Sequence, residues 1–439
     1  MPPQAEHRPP DRRNFLRTAA AGLTLTAQSY ANVAGSNSRI GLGFLGCGGR
    51  AQAHLHAVQS LAKSGVTLAP VAVCDVWDGC EDEYSQTFGG NTTRRVYRQG
   101  LHPTATAAGL NPADPRRVVK DFRRLLELKE VDAVCVATPD HWHARMTLDA
   151  LAAGKHVFVE RPLARTASEA LLIREAAAAS NRVVSVGVQS LADPAIAAAR
   201  DLVRNGKIGP AVHMSGGAFR NDVRGQWRFY RVVSEMNRGT VDWDLFLGHR
   251  FEVNGAPLGP TPGECPFAPE RFAQWRCESE FSGGPVSEML YPVVARLLAV
   301  TDARRVTRTT TLGGTLHETD GRTVPDLVTV AAEFAEGCHL SVTATTLSNY
   351  PVEEVVRGRH GALKLVKGGV HVYRDDPAKG TTYPSRMERT LPPAEAIVLT
   401  PPRNETEELW RDFAACIVSG NKQTMCPPDL GAAAVAVLG

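Results

Sequence analysis

Short apolar runs alternate with stretches of helical periodicity through the first half of the chain. Residues 39–45 (RIGLGFL) and 68–74 (LAPVAVC) are continuous apolar runs of strand length, and residues 51–61 between them carry a helical pattern. The alternation continues with a helical stretch at 122–128, an apolar run at 131–137, and a helix at 143–153 closing at Gly154. A strand at 156–159, a helix at 167–179 and a strand at 183–188 follow. Strands apolar along their whole length belong to a sheet covered on both faces. Alternating β and α elements of this size predict an α/β fold with a doubly wound parallel sheet. The polar segment 89–117, rich in Gly, Pro and Thr, reads as an excursion between strands.

The pattern changes beyond Gln189. A helix at 194–205 and a strand at 212–218 lead into a long stretch rich in Arg, Trp, Gly and Pro that runs to about residue 281. A helix at 286–300 precedes strand-like runs at 306–312, 327–334, 339–345, 352–357, 362–366 and 370–373, several joined by Gly-containing turns. Residues 405–418 return to helical periodicity. This predicts an α+β domain with an antiparallel sheet, and a division into residues 39–190 and 191–439.

Length and composition agree with that division. A chain of 439 residues with 43% hydrophobic and 22% charged residues suits two globular domains, and excludes a disordered chain, a collagen-like fibre and a coiled coil. Lys plus Arg is 49 against 46 for Asp plus Glu, so nucleic acid is not the expected partner. No apolar run reaches the ~18–20 residues that cross a bilayer. The nine cysteines are scattered and form no CxxC pair, so no metal site is expected. Most read as small buried hydrophobes, with one disulfide left open. Arg12 and Arg13, followed by Phe15, Leu16 and a mildly apolar run at 18–27, resemble a Tat export signal. Residues 1–38 are therefore set aside as a leader, and a periplasmic or extracytoplasmic location is expected.

The first strand runs into Gly46-Cys47-Gly48-Gly49-Arg50-Ala51, a G-x-G-x-x-A turn. Gly46 permits the tight turn, Gly48 lets backbone approach a pyrophosphate, and Ala51 allows close helix–strand packing. The helix start then offers its N–H groups to phosphate. Asp75 ends the second strand, where a carboxylate accepts hydrogen bonds from ribose hydroxyls and favours NAD over NADP. Arg94 and Arg95 can soften that preference. Gly46, Asp75, Thr138, Glu160 and Gln189 all fall at carboxyl ends of strands, where ligands bind such sheets.

The segments GFLGCGGRA, VCDVWD, ATPDHWHA, AGKHVFVERP, VGVQ, GKIGP, VDWDLFLG and SGGP, in this order, resemble the glucose–fructose oxidoreductase / inositol dehydrogenase / MocA family from about Arg39 onward. The resemblance implies a Rossmann domain holding NAD(P), and a C-terminal domain whose open sheet serves in homo-oligomer contacts. It also implies hydride transfer between a sugar or cyclitol carbon and the nicotinamide. Thr138, Pro139 and His143 match the nicotinamide-side loop, and Glu160 and Pro162 match the family's E-K-P. Gly49, Arg50 and Gln189 join the expected cofactor contacts.

Two departures stand out. Arg161 replaces the family lysine, and arginine cannot serve as a base. After Gly283-Gly284 the family's Asp, Gly, His and Asp positions read Glu288, Leu290, Pro292 and Ala295. The catalytic histidine is missing, so Glu160, Arg161, Glu288 and Tyr291 become the catalytic candidates, with His141, His143 and His213 behind them. Arg161, Arg276 and Glu288 are the substrate candidates, and Trp227, Trp243 and Trp275 can stack on sugar faces or pack the core. The expected function is an exported NAD(P)-dependent oxidoreductase acting on a sugar, cyclitol or related polyol, with altered catalytic residues. The alternatives are glycoside hydrolysis or epimerisation through a keto intermediate, and a non-catalytic binding protein.

Overall fold

The computed structural model describes residues 39–88, 91–374 and 395–439. The leader with Arg12 and Arg13 lies outside them, as does the side chain of Arg95. In chain order the first half runs β1 (Ile40–Leu45), α1 (Gly49–Lys63), β2 (Leu68–Cys74), β3 (Cys80–Phe88), β4 (Asn91–Gln99), α2 (Leu101–Ala107) and β5 (Val118–Val119). It continues through α3 (Phe122–Leu126), β6 (Ala133–Val136), α4 (Asp140–Ala152), β7 (His156–Glu160), α5 (Ala167–Ala179) and β8 (Val184–Gly187). Six of these strands form one sheet in the order β5-β2-β1-β6-β7-β8, with β2–β5, β1–β6, β6–β7 and β7–β8 parallel. The order reverses between β1 and β6, which opens a crevice at their carboxyl ends. β1 and β6 are buried along their whole length, as their apolar runs require.

The polar excursion is more ordered than the sequence suggested. β3 and β4 pair antiparallel as a hairpin, with Glu81–Arg98 and Glu83–Arg94 ion pairs across it.

The second half contains α6 (Pro194–Arg204), β9 (Ala211–Phe219), α7 (Trp243–Leu247), the two-residue strands β10 (Glu252–Val253) and β11 (Ala256–Pro257), and α8 (Pro269–Ala273). A π-helical turn at Pro285–Leu290 leads directly into α9 (Tyr291–Thr301). β12 (Val306–Gly314), β13 (Leu327–Phe334), β14 (His339–Thr345), β15 (Glu354–Gly358), β16 (Gly361–Val366), β17 (Gly369–Arg374) and β18 (Glu395–Val398) follow, then α10 (Glu405–Ser419) and α11 (Pro428–Leu438). The eight-stranded sheet has the order β12-β13-β14-β9-β15-β16-β17-β18. It is not wholly antiparallel as expected. β9 inserts between β14 and β15 and runs parallel to β14, because the long connection between them crosses over before β14 begins. Along β13, Val328, Val330, Ala332 and Phe334 turn inward at period two.

The described residues from Gly41 onward form a single compact unit. A break at residue 190 separates the two sheets but not the helices, because α10 packs on α1, and α11 on α5 and α9. Trp410 of α10 stacks on Phe158 of β7 with ring centroids 4.4 Å apart. All nine cysteines are buried and free, so the open disulfide is absent.

Candidate active site

A cavity of ≈ 430 Å³ runs across the carboxyl ends of β1, β2, β6 and β7. Its wall includes Gly46, Gly48, Gly49 and Arg50 from the first turn, and Asp75, Thr138, Pro139 and Arg161 from the following strand ends. The two motif glycines do different work. Gly46 has φ +85°, and a Cβ there would lie 2.7 Å from the Ala137 carbonyl oxygen, so the fold itself needs glycine. Gly48 has φ −73°, which any residue adopts, and a Cβ there would meet nothing within 4 Å. The space in front of Gly48 is therefore open for a ligand that approaches backbone closely. α1 carries no side-chain cap and no acidic residue in its first turn, so its first N–H groups remain available to an anion. These features fit a dinucleotide pyrophosphate.

Asp75 accepts the Cys47 N–H at 2.6 Å on one oxygen and the Trp77 N–H at 2.9 Å on the other. Burial pushes its carboxyl up to about 6, against those amide hydrogen bonds and the Lys120 charge. The same carboxylate thus braces the phosphate turn and faces the cavity.

Glu160 gathers three donors on Oε1: Arg50 Nε at 2.8 Å, Gln189 Nε2 at 2.8 Å and His54 Nε2 at 2.7 Å. Trp410 donates its indole N–H to His54 Nδ1 at 2.9 Å. Nδ1 therefore carries the lone pair, and the imidazole proton sits on Nε2 facing Glu160. Burial lowers the His54 pKa further, which keeps the ring neutral. Burial alone would raise the Glu160 carboxyl, but the Arg50 charge and the His54 hydrogen bond outweigh it and hold the group well below the usual carboxylate range. Glu160 is thereby committed as a fixed anion.

At the other end of the cavity a recess of ≈ 40 Å³ is lined by Asp140, Glu160, Arg161, Arg276 and Glu288, among others. Arg161 donates from Nη1 to the Glu288 carbonyl at 2.8 Å, and the same nitrogen lies 3.6 Å from Glu288 Oε2. Arg276 Nε lies 3.1 Å from that carboxylate oxygen. The Arg276 guanidinium sits over the Trp275 ring at 4.1 Å and over Tyr230 at 5.4 Å. Burial works against its charge, but Glu288, with Tyr230 and Asp140, more than restores it. Asp140, at the start of α4, accepts from Ser282 Oγ at 3.0 Å and Ser287 Oγ at 2.8 Å on Oδ2, while its buried Oδ1 has no hydrogen-bond partner. Burial and the neighbouring Glu288 raise its carboxyl toward neutrality, against His143, Ser287 and Arg276.

Several candidates fall elsewhere. Tyr291 is a correction: it is fully buried, lines neither cavity, and donates its hydroxyl to the Gly431 carbonyl at 3.1 Å. The π-helical turn before α9 is responsible, since it directs Glu288 to the cavity and Tyr291 into the core. Ala51 is buried within α1 behind the turn, and Gln189 reaches the site only through Glu160. His143 is buried with its ring nitrogens on the Pro162 and Thr138 carbonyls, at 2.6 and 3.0 Å. His141 is buried against the Phe246 carbonyl, and burial pushes its pKa down to about 3. His213 lies on the eight-stranded sheet beside Ser341. Among the described residues, no histidine lines either cavity. Trp227 and Trp275 line the larger cavity, whereas Trp243 packs in the core and donates to the Cys265 carbonyl.

Sequence reasoning missed His54, Asp140, Ser282 and Ser287. His54 sits one helical turn after Arg50, a spacing that puts both on one face of α1. Asp140 follows Thr138-Pro139 at a strand end, the placement that had singled out the other candidates.

Residues 40–188 match a family model described as an oxidoreductase family with an NAD-binding Rossmann fold. Levoglucosan dehydrogenase of Pseudarthrobacter phenanthrenivorans is 34% identical over 158 residues, which are 33% of this chain and 40% of that protein. Alpha-N-acetylgalactosaminidase of Shewanella oneidensis is 28% identical over 282 residues, 57% of this chain and 54% of that protein. The chain thus spans about half the length of the curated relatives it matches. Among solved structures, levoglucosan dehydrogenase in complex with NADH and levoglucosan matches with a TM-score of 0.59 at 17% identity, covering 91% of this chain and 96% of that one, a likeness of fold.

Proposed function

We propose that this protein oxidises or reduces a carbohydrate or related polyol at a hydroxyl-bearing carbon, a reading supported by the match of residues 40–188 to the Gfo/Idh/MocA oxidoreductase family with its NAD-binding Rossmann fold. The observation that carries this reading is the continuity of one cavity from the Gly46–Arg50 turn and Asp75 to Arg161, Arg276 and Glu288. Bound NAD supplies the hydride acceptor. The protein's own residues must then orient the hydroxyl and take its proton. Arg161 keeps its charge at any working pH, so it orients and hydrogen-bonds but does not accept the proton. Glu288, on the wall of both cavities, is the acceptor in this proposal, in the role that histidine fills in the family pattern. Asp140 stands behind it in the recess as a second carboxyl group.

The similarity to an alpha-N-acetylgalactosaminidase over 57% of the chain supports a second reading. In it, hydride leaves and returns within one turnover, and the net reaction is glycoside hydrolysis. Export through the Arg12-Arg13 leader, and oligomer contacts through the eight-stranded sheet, complete the proposal.

Loading the purified protein with NAD and supplying a panel of sugars, cyclitols and glycosides tests it. NADH accumulation supports the first reading, and release of free sugar without net NADH supports the second. A protein that binds no NAD would overturn both.

A further inference from the structure

Resting on that reading of the cavity, we propose that the substrate is an anionic sugar, one whose carboxylate or phosphate is held by Arg276 with Arg220 and Arg161. Arg276 Nε is paired with Glu288 Oε2 at 3.1 Å but poorly aligned for a hydrogen bond, and its two Nη groups make no hydrogen bond to the described residues. The side chain is 21% exposed, toward the cavity it lines, so its Nη groups are open to an acceptor that arrives with a ligand. Its guanidinium lies over Trp275 and Tyr230, 4.1 and 5.4 Å from the ring centroids, contacts that favour one orientation of the fork. A planar fork with paired N–H groups matches two oxygens of one oxyanion.

The charge balance points the same way. Arg161, Arg220 and Arg276 all line this cavity. Arg220 spends its backbone N–H on the Thr345 carbonyl, and its side chain has no ion pair or hydrogen bond among the described residues. The acidic residues on the cavity wall are Asp75 and Glu288. Asp75 lies at the other end, with both oxygens taken by backbone N–H groups. Glu288 is shared by Arg161 and Arg276. Asp140 of the adjoining recess is turned to Ser282 and Ser287. At this end of the cavity three guanidinium groups face one carboxylate, Glu288, which leaves cationic donors for an oxyanion. Trp227 and Trp275, on the same wall, offer flat apolar faces for the ring.

Calorimetric titration of the NADH-loaded protein tests this without relying on turnover. The probes are D-glucose, D-galactose and D-mannose, each beside its uronate and its 6-phosphate. In at least one configuration an anion is expected to bind at least about tenfold more tightly than its neutral parent, with the advantage shrinking as salt is raised. The uronate and phosphate arms show which oxyanion is meant. Arg276→Gln should abolish the advantage, and Arg276→Lys should retain only part of it, because the charge stays and the fork is lost. Arg220→Gln removes a side chain with no protein partner, so it leaves folding intact and should weaken anion binding several-fold. Equal binding of acid and parent in all three configurations, or an advantage that survives both Arg276→Gln and Arg220→Gln, would overturn the inference. Oxidation of neutral sugars with no anion preference would sink the inference and leave the proposed function standing. Tight anion binding without hydride transfer would do the reverse.

Discussion

Trp410 donates its indole N–H to Nδ1 of His54 at 2.9 Å, although the two residues are 356 positions apart in the chain. The bond fixes the imidazole proton on Nε2, which in turn fixes a donor on Glu160 beside the cavity. Trp410→Phe keeps an aromatic ring against Phe158 but removes this donor. Nδ1 is then a buried acceptor without a partner, which costs about 1–3 kcal/mol. We expect that loss in urea unfolding, together with weaker NAD binding as the Arg50–Glu160 pair loosens. Unchanged stability and affinity would show that the tautomer needs no such brace.

The two motif glycines separate folding from binding. Gly48→Ala adds a methyl group into open space at an ordinary backbone angle, so thermal stability should hold while NAD affinity falls by at least about tenfold. Gly46→Ala forces a side chain into the left-handed region and against the Ala137 carbonyl, and should cost at least about 1–3 kcal/mol of stability. Melting curves with and without NAD distinguish the two outcomes. If Gly48→Ala binds NAD like the parent protein, the phosphate-turn assignment is wrong.

Much of this architecture is legible in the sequence because its cause is local. Fully apolar runs of strand length separated by helical periodicity leave few alternatives to a parallel sheet, and Gly46 and Asp75 stand at strand ends that the same periodicity defines. What escapes is whatever depends on a single-residue change of helical phase or on distant packing. A π-helical turn at 285–290 costs nothing visible in composition, yet it turns Tyr291 into the core and leaves Glu288 on the wall. The return of α10 and α11 to the first sheet, and with it the Trp410–His54 bond, follows from no pattern near either residue. In the sequence Asp140 stands after the apolar run at 131–137 and ahead of the helix read at 143–153, one polar residue among others at a strand end. Its unpartnered oxygen emerges only when Ser282 and Ser287 fold against it.

Asp140 also gives a stability prediction with a definite sign. Burial and Glu288 raise its carboxyl above the ordinary aspartate value of 3.8, so the folded protein holds this proton more tightly than the unfolded chain. Ionising the group therefore costs stability, a cost absent below the ordinary value and growing as pH rises through the folded one. Asn holds no charge and keeps an acceptor for the serines. The melting temperature of Asp140→Asn relative to the parent should rise by a few degrees between about pH 4 and about pH 8. In the same variant kcat for sugar oxidation should fall while NAD affinity stays level, because the recess loses its second carboxyl. A melting difference that does not move with pH would mean that Asp140 ionises as freely as a surface carboxylate.

Asp75 is expected to set the pH dependence of cofactor choice. Its carboxyl is pushed up to about 6 by burial, so its negative charge is present well above that pH and fades below it. A carboxylate at the end of β2 accepts ribose hydroxyls and repels a 2′-phosphate, whereas the protonated acid repels far less. The ratio of NADP to NAD dissociation constants should therefore be largest near pH 8 and should shrink as pH falls through about 6. The 2′-phosphate itself loses charge in the same range, so the ratio needs a control that lacks the carboxylate. Asp75→Asn supplies it: this variant should show a smaller NAD preference at high pH, and only the shallower pH slope due to the phosphate. Fluorescence titration with NADH and NADPH at several pH values reads both. Identical slopes in parent and variant would remove Asp75 from cofactor selection and leave it as a brace for the Cys47 and Trp77 amides.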